Sequence, residues 1–456
     1  MQTIAIDWTL LMGVNIGEAG LKDREIEALT PRMIEALEGV MTAVQNEVLG
    51  FWLLPQNQDH INGVRQVCED LSFDATDVLV LGIGGSSLGP RTLTDFAWMT
   101  GHPKKRNIHY LDNADPTSLQ RVLGGLTAEK TLVVVTSKSG STVETLSGFL
   151  VARQWMTDSL GGEGMKKHFV FITDPENGFL RELGQREGIP MLPVPQNVGG
   201  RFSVFTAVGL LPAYLAGVPC DELLEGAAHM ASLCQEEDVQ KNPAMMVAAL
   251  HYLLDQEAGR NQSVLMPYTD SLRTLGDWFV QLWGESLGKP GPEGPLGPTP
   301  LRAVGSTDQH SLLQLLMEGP DNKAVWFVQI DKHKEAVPLP DLFPDSPALS
   351  YLGGKTVESL LHAERRATAL ALANEGRPSA TFHFPDESTS HLGALMFLFE
   401  AATAFAGELY GVNAFDQPGV EAGKILTNAL MGREGYDEAR ATLEATDARM
   451  TPYRMG

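Results

Sequence analysis

Residues 77–90 read DVLVLGIGGSSLGP, in which a short apolar run passes directly into a turn of glycine and serine. Similar apolar runs recur at 132–135 (LVVV) and 169–173 (FVFIT), and helix-length segments separate them. Continuous apolar runs of this length, alternating with helices, are typical of parallel strands that are covered on both faces. The pattern therefore predicts an α/β domain in which helices flank a mainly parallel sheet.

A second series of strand-like runs lies further along the chain, at 263–266 and 324–330. It follows a stretch near 205–260 that is predicted to be helical. Between the two runs, apolar residues from 272 to 283 recur at the spacing of one helix face. Residues 289–300 are dense in proline and glycine, which predicts an irregular loop.

Both ends of the chain are predicted to be helical. Apolar residues between 29 and 44 recur at helical spacing, and Thr30-Pro31 is the expected start signal. The apolar run at 392–399 is closed by Glu400 and is too short for a membrane span, so it predicts a buried helix. The whole pattern predicts two tandem three-layer αβα sandwiches with helical extensions. The expected boundaries are 1–70 for the N-terminal extension, 71–220 and 221–430 for the sandwiches, and 431–456 for the helical tail.

The composition limits the classes of partner. The 456 residues carry a formal net charge of −23, which argues against nucleic acids and anionic membranes, because both need a basic face. Three cysteines that are far apart, Cys68, Cys220 and Cys234, predict free thiols in a reducing cytoplasm. The N-terminus lacks a basic segment, so no signal peptide is expected. The eleven histidines form no HxH or HExxH grouping, so no dedicated metal site is predicted.

The glycine-rich turn at 82–90 follows a predicted strand and precedes a helix. Such a turn presents backbone N–H groups and a positive helix end, which suit a phosphate. It is not a nucleotide-binding loop of the Walker type, because Pro90 stands where the lysine would have to be. It approaches a dinucleotide fingerprint, with Ser87 at the third glycine position and Asp112 as a possible ribose acceptor. This turn alone favours a dinucleotide and a smaller phosphate equally.

A second polar turn follows the strand-like run at 132–135. Its side chains offer several hydroxyls and one ammonium: Ser137, Lys138, Ser139, Ser141 and Thr142. Several hydroxyls on one short turn match a phosphate monoester, although for this turn taken alone helix capping is the better explanation of serine and threonine. Because the two turns end neighbouring strands, a phosphate monoester becomes the better interpretation.

This pair of turns resembles the sugar isomerase (SIS) domain, and segments 82–90 and 137–144 are similar to those of the phosphoglucose isomerase family. The resemblance extends over roughly 78–424, which makes each predicted sandwich a SIS domain. Two departures, Gln196 ahead of the GGR motif and Pro418 after Gln417, touch no reacting group. The further matching segments are GGRFS at 199–203, GESLGK at 284–289, GSTDQH at 305–310 and FDQPGVEAGK at 415–424.

The resemblance implies a role for each candidate site residue. Glu285 is the base that moves a proton between C1 and C2 of the sugar, and Arg201 stabilises the enediolate. His310 and Lys424 open the sugar ring. Without the resemblance, a structural or solvated side chain is the better explanation of Glu285 and His310, and it is an open alternative for Arg201 and Lys424. The implied substrate-binding residues, most of them phosphate donors, are Gly84, Ser86, Ser137, Lys138, Ser139, Thr142 and Gln417.

The function implied is a cofactor-free, cytoplasmic aldose–ketose isomerase of glycolysis and gluconeogenesis, with a sugar phosphate as substrate. The resemblance also implies a homodimer in which His310 enters the site of the neighbouring subunit. A nicotinamide-dependent oxidoreductase using the first turn and Asp112 is one alternative, but it leaves Glu285, His310 and Lys424 without a role. A non-catalytic sugar-phosphate sensor is another, and it should lack the base and the ring opener. The sequence leaves open whether mannose 6-phosphate is also a substrate.

Overall fold

The structure, a computed structural model, describes residues 3–291 and 294–453. Its strands are β1 (Ala5–Asp7), β2 (Asp77–Leu81), β3 (Asn107–Leu111), β4 (Thr131–Ser137), β5 (Phe169–Thr173), β6 (Met191–Pro193), β7 (Gln262–Pro267), β8 (Lys289–Gly291), β9 (Gly294–Leu296), β10 (Thr299–Arg302), β11 (Lys323–Ile330) and β12 (Ser379–Phe384). Its α-helices are α1 (Gly13–Ile16), α2 (Asp23–Gln45), α3 (Asp59–Glu69), α4 (Leu88–Met99), α5 (Pro116–Gly124), α6 (Val143–Gly164), α7 (Phe179–Glu187), α8 (Ala207–Ala216), α9 (Cys220–Leu233), α10 (Pro243–Gln256), α11 (Leu275–Leu287), α12 (Leu313–Glu318), α13 (Val357–Asn374), α14 (Thr389–Tyr410), α15 (Glu421–Leu430) and α16 (Asp437–Asp447).

The first sheet has the strand order β3-β2-β4-β5-β6, and all its strands run parallel. On one face, apolar side chains of β2, β4 and β5 pack against Phe149 of α6 and Leu180 of α7. Helix α8 covers the other face at β2 and β3. This confirms the predicted three-layer sandwich, and the predicted strands coincide with β2, β4 and β5. The three-residue edge strand β6 was not predicted.

The second sheet has the order β1-β12-β11-β7-β10, parallel except for β1. On one face Val264 and Phe327 pack against Ala369 and Leu372 of α13. On the other face Trp326 stacks on His251 of α10, with ring centroids 3.8 Å apart. The second predicted sandwich is thus confirmed as well, including the strand-like runs at β7 and β11.

The N-terminal segment is helical in α2 and α3, as predicted, but it also supplies a strand to the second sheet. β1 pairs antiparallel with β12 and covers what would otherwise be an exposed sheet edge. Helix α2 begins at Asp23, so the prediction that Thr30-Pro31 starts it was wrong. The N-terminus of α2 is instead capped by the Glu25 carboxylate, which accepts the Lys22 backbone N–H at 3.0 Å. Pro31 lies inside the helix.

The proline- and glycine-rich stretch at 289–300 was predicted to be an irregular loop, and this was wrong for its described residues. Strands β8 and β9 form a short antiparallel ladder, and β10 begins at Thr299. β10 lies at the edge of the second sheet, where Pro300 can be accommodated because an edge strand leaves one side of its backbone unpaired.

Helix α14 is the predicted buried helix of the C-terminal half. Among the described residues it is long and apolar enough to cross a membrane, but 94% of its apolar window is buried inside the protein. It packs against α2, α9, α10 and α11, which identifies it as a core helix of the fold. The three cysteines are free thiols, and two of them, Cys220 and Cys234, are buried.

Two compact units divide the chain, Met1–Ala414 and Phe415–Gly456. The first contains both large sheets and their helices, and the second contains α15 and α16. Domain boundaries at 70, 220 and 430 stay a prediction.

Candidate active site

The first phosphate-type turn connects the carboxyl end of β2 to the start of α4. Gly84 adopts a φ of +60°, a conformation that favours glycine, and the Ser87 hydroxyl donates to its carbonyl at 3.2 Å. Asp112, weighed above as a ribose acceptor, instead forms an ion pair with Arg91 at 2.8 Å. The carboxylate required by a dinucleotide site is therefore already engaged, which favours a smaller phosphate ligand.

The second phosphate-type turn follows β4, the neighbour of β2 in the sheet. The hydroxyls of Ser137 and Thr142 lie 3.0 Å apart, and Ser139 is exposed with its hydroxyl 3.1 Å from that of Ser141. Because parallel neighbours end at the same edge of a sheet, both turns present their donors at that edge. Both turns therefore lie at the same edge of the sheet, and phosphate binding by their hydroxyls stays a prediction.

The charge of Lys138 suggests that it binds phosphate, but its ammonium is bonded to backbone carbonyls instead. Its ammonium donates to the carbonyls of Gln196 and Val198, at 2.8 and 2.9 Å. Burial lowers the pKa of this ammonium, while Asp174 acts in the opposite direction. The side chain therefore fixes the segment that leads into the GGR motif, and phosphate binding by Lys138 stays a prediction for its backbone.

A close backbone contact joins the first turn to the GGR motif. A Cβ added to Gly85 would lie 2.1 Å from the carbonyl oxygen of Gly200 and 2.9 Å from the backbone nitrogen of Arg201. Only glycine leaves room for this approach. This role of Gly85 was not predicted, although a glycine in a phosphate-type turn indicates that another segment of backbone approaches closely.

Arg201 is buried and lies beside the candidate base. Its Nε donates to the Ser286 hydroxyl at 2.6 Å, its Nη2 donates to the Ala414 carbonyl, and its Nη1 lies 3.8 Å from Glu285 Oε2. Glu285 is on α11, two residues before the helix ends, and about a quarter of its side chain is exposed. The structure thus brings together the guanidinium and carboxylate that the sequence placed 84 positions apart in numbering.

Gln281 connects Glu285 to the first turn and was not predicted. Its Nε2 donates to Glu285 Oε2 at 3.1 Å, and a Cβ on Gly84 would lie 2.9 Å from the same nitrogen. Gln281 precedes Glu285 by four residues on one helix, which places both on the same face. That spacing is the signal that would have revealed it.

His310 lies in the segment between β10 and α12, and its side chain is exposed in the single chain. Its neighbour Gln309 is firmly anchored, because its Nε2 donates to the hydroxyls of Tyr268 at 2.7 Å and Thr368 at 2.6 Å. The anchor holds the backbone of this segment in place while the imidazole faces outward.

Gln417 and Lys424 belong to the second compact unit. Gln417 is half-buried and precedes a short helical turn, Pro418–Val420. Lys424 is exposed on α15, where it forms an ion pair with Glu421 at 2.7 Å. Within the first unit, the two phosphate-type turns lie at one sheet edge, and the first turn lies close to Arg201 and, through Gln281, to Glu285.

The residues of this site can together bind an anion and transfer a proton. Backbone N–H groups and hydroxyls at one sheet edge can bind an anion. A carboxylate beside a fixed guanidinium can take a proton while the guanidinium stabilises the negative charge that develops. Such an arrangement suits proton abstraction next to a carbonyl in a phosphorylated substrate.

Comparison with known proteins assigns the chain to a family. The family model described as phosphoglucose isomerase matches residues 67–448. The chain belongs to the phosphoglucose isomerase family. A glucose-6-phosphate isomerase of Rubrobacter xylanophilus is 44% identical over 96% of this chain and 100% of its own length. One of Thermus thermophilus is 41% identical over 83% of this chain and 89% of its own length.

Solved structures agree with this family assignment. A hypothetical protein of Thermus thermophilus superposes with a TM-score of 0.85 and 37% identity, covering 94% of this chain and all of that one. A glucose-6-phosphate isomerase from Chlamydia trachomatis superposes with a TM-score of 0.74 and 25% identity, covering 85% of this chain and 77% of that one. Both sandwiches therefore have the architecture of phosphoglucose isomerase family members.

Proposed function

We propose that this protein is a glucose-6-phosphate isomerase, which interconverts D-glucose 6-phosphate and D-fructose 6-phosphate in glycolysis and gluconeogenesis. The observation that carries the proposal is the contact between Arg201 and Glu285, at 3.8 Å, beside a phosphate-type turn. The match to full-length glucose-6-phosphate isomerases supports the substrate. The reaction needs no cofactor, because the proton that leaves one carbon returns to its neighbour.

The phosphate is held at the carboxyl edge of the first sheet. Backbone N–H groups of the turn at Gly84 and the hydroxyls of Ser86, Ser137, Ser139 and Thr142 donate to its oxygens. Gln417 adds a further donor, and Lys138 contributes through its backbone. His310 and Lys424 then open the ring, since an imidazole and an ammonium can both donate a proton to the ring oxygen.

Glu285 takes the proton from C2 of the open aldose and returns it to C1, through a cis-enediol. Arg201 stabilises the enediolate, and it keeps its charge throughout because a guanidinium does not release its proton at neutral pH. Gln281, which donates to Glu285, holds the carboxylate toward the first turn.

The protein works as a homodimer in the cytoplasm, and His310 of one subunit completes the site of the other. Two observations support this assembly. His310 is exposed in the single chain, although a group that donates to a substrate should be shielded from water. The segment 337–351 exposes several large apolar side chains, of the kind that interfaces cover: Val337, Leu342, Phe343, Leu349 and Tyr351. Free thiols and a strongly negative charge suit a cytoplasmic protein without a nucleic-acid or membrane partner.

A coupled assay tests the function directly. Purified protein is given fructose 6-phosphate, and the glucose 6-phosphate formed is measured with and without a metal chelator. We expect turnover in both conditions. If the protein converted neither glucose 6-phosphate nor fructose 6-phosphate, the proposal would be wrong. Mannose 6-phosphate, supplied in parallel, reports whether the site also accepts the C2 epimer.

Subunit mixing tests the shared site. Glu285→Gln and His310→Ala homodimers should each be severely impaired. Co-refolded heterodimers should regain activity, because a two-fold dimer then contains one site with both defects and one with neither. Continued inactivity of heterodimers seen by native mass spectrometry would place His310 in the site of its own chain.

A further inference from the structure

A cluster of metal-binding side chains lies at the carboxyl end of the second sheet, outside the proposed active site. His333 follows β11, while Glu358 and His362 lie on the first turns of α13. One possible ligand atom from each of the three lies within 4.8 Å of those of the other two. All three side chains are partly buried.

Hydrogen bonds determine which ring nitrogen of His333 and of His362 is available to a metal ion. His333 Nδ1 lies 2.8 Å from Glu387 Oε1, and His362 Nε2 lies 2.8 Å from the Ile330 carbonyl oxygen. Because a carboxylate and a carbonyl only accept, both of these nitrogens must carry their proton. The lone pair of His333 is then on Nε2 and that of His362 on Nδ1.

The free nitrogen of His333 has an unusual environment. His333 Nε2 is buried and has no hydrogen-bond partner within the described residues 3–291 and 294–453. A buried nitrogen lone pair without a donor is unfavourable, and a bound metal ion would satisfy it. The pairing of the opposite nitrogen with Glu387 matches the arrangement in which a carboxylate orients a metal-bound histidine.

Glu358 completes a set of three ligands. It stands four residues before His362, which places both side chains on one helix face. One of its oxygens accepts the His333 backbone N–H at 3.1 Å, so the other oxygen is available to a metal ion. Two imidazoles and a carboxylate form a ligand set that zinc uses with a fourth position open to water.

The surrounding charge and space suit a divalent cation. A cavity of about 410 Å³ adjoins the cluster, and it is lined by the carboxylates of Glu335, Glu358 and Glu387. The one ammonium in its lining, that of Lys334, is held by the Thr100 carbonyl at 2.8 Å. Ligands that are each about 2.1 Å from a tetrahedral zinc ion lie about 3.4 Å apart. Because the three ligand atoms lie within 4.8 Å of one another, binding would draw them together by at most about 1.4 Å.

We propose that His333, Glu358 and His362 bind one zinc-class divalent ion that joins the loop after β11 to helix α13. Glu387, from the loop after β12, is a positioning residue that orients His333. The ion stabilises the folded chain, because it binds residues that only folding brings together.

Metal titration of the untagged full chain tests this site. After chelator treatment and dialysis, the protein is titrated with Co²⁺, whose visible absorption reports tetrahedral nitrogen and oxygen ligation, and with Zn²⁺. The expected result is one ion per chain and a Tm that rises with zinc concentration. Glu358→Gln and His362→Gln should each weaken binding at least tenfold and abolish the rise in Tm, while far-UV circular dichroism shows that they remain folded.

Two further variants make the test specific. His109→Gln removes a histidine that pairs with Asp77 at 2.9 Å in the first sheet, and it should bind the ion like the parent. Glu387→Gln should weaken binding by about ten- to a hundred-fold without changing the stoichiometry. No ion retained by the parent, or equal binding by the parent and Glu358→Gln, would overturn the proposal. Loss of isomerase turnover on chelation, while far-UV circular dichroism shows that the chain stays folded, would contradict a site that is separate from the active site.

Discussion

The two parallel sheets have the same layered construction but carry opposite chemistry at their carboxyl ends. The first ends in glycine, serine and threonine turns, with Gly84 at positive φ and paired hydroxyls at Ser137 and Thr142. The second ends in imidazoles and carboxylates around His333. The first set donates hydrogen bonds and suits an anion, while the second offers lone pairs and suits a cation. Strand order therefore creates a site at each sheet edge, and the residues around the strand ends decide which charge that site binds.

The largest expected effect is on the anion-binding side, at the candidate base. Glu285→Gln keeps the shape of the side chain but cannot accept a proton, so we expect turnover to fall by about a hundred- to ten-thousand-fold. Sugar-phosphate affinity should change little, and solvent deuterium should no longer enter the sugar. Glu408→Gln is a matched control, because Glu408 also lies two residues before the end of a helix. Deuterium incorporation by Glu285→Gln at the parental rate would remove Glu285 from the role of base.

The hydroxyls of the second turn should determine preference for phosphorylated ligands. Changing Ser137 and Thr142 together to alanine should weaken sugar-phosphate binding by about 3 kcal/mol or more, roughly a hundred-fold, because each hydrogen bond to a charged group contributes about 1.5–3 kcal/mol. Isothermal titration with phosphorylated and unphosphorylated sugars measures the difference. Ser147→Ala with Thr157→Ala, whose hydroxyls bond backbone carbonyls within α6, is the control. Equal weakening of both ligand types would show that the turn is structural.

The close contact between the first turn and the GGR motif should affect stability. Gly85→Ala places a methyl group 2.1 Å from the Gly200 carbonyl oxygen, so we expect a loss of about 1–3 kcal/mol in the free energy of unfolding. Gly200→Ala is the matched control, since a Cβ there meets nothing within 4 Å. Denaturant unfolding of both variants measures the contrast. Equal stability of the two would mean that the turns are not held together at Gly85.

Each of the two sheets has a buried histidine packed beside it. His251 lies beneath the second sheet, and burial lowers its pKa to about 3. Burial also lowers the pKa of His168, beside the first sheet. The unfolded histidine, with a pKa of 6.5, binds a proton more readily than the folded one. The stability associated with a neutral His251 is therefore present above pH 6.5 and is lost progressively toward pH 3.

His251→Phe tests this smallest effect, since phenylalanine can still stack on Trp326 but does not titrate. The stability advantage of the parent over the variant should decrease by about 1.4 kcal/mol between pH 7.5 and pH 5.5. Urea unfolding at the two pH values gives the difference, with pH 7.5 as the internal reference. A difference that stays constant with pH would contradict a neutral buried His251.

The sequence by itself determined the strands β2, β4, β5, β7 and β11, the two phosphate-type turns and the family, because these are written in local patterns of a few residues. Apolar periodicity depends only on neighbours along the chain, and so do glycine and serine turns at strand ends. The tertiary structure decided which distant residues meet. It placed β1 against β12, Gly85 against Gly200, Arg201 and Gln281 beside Glu285, and His333 beside Glu358 and His362. Such contacts follow from sheet order and close packing across long stretches of chain, which no local periodicity encodes.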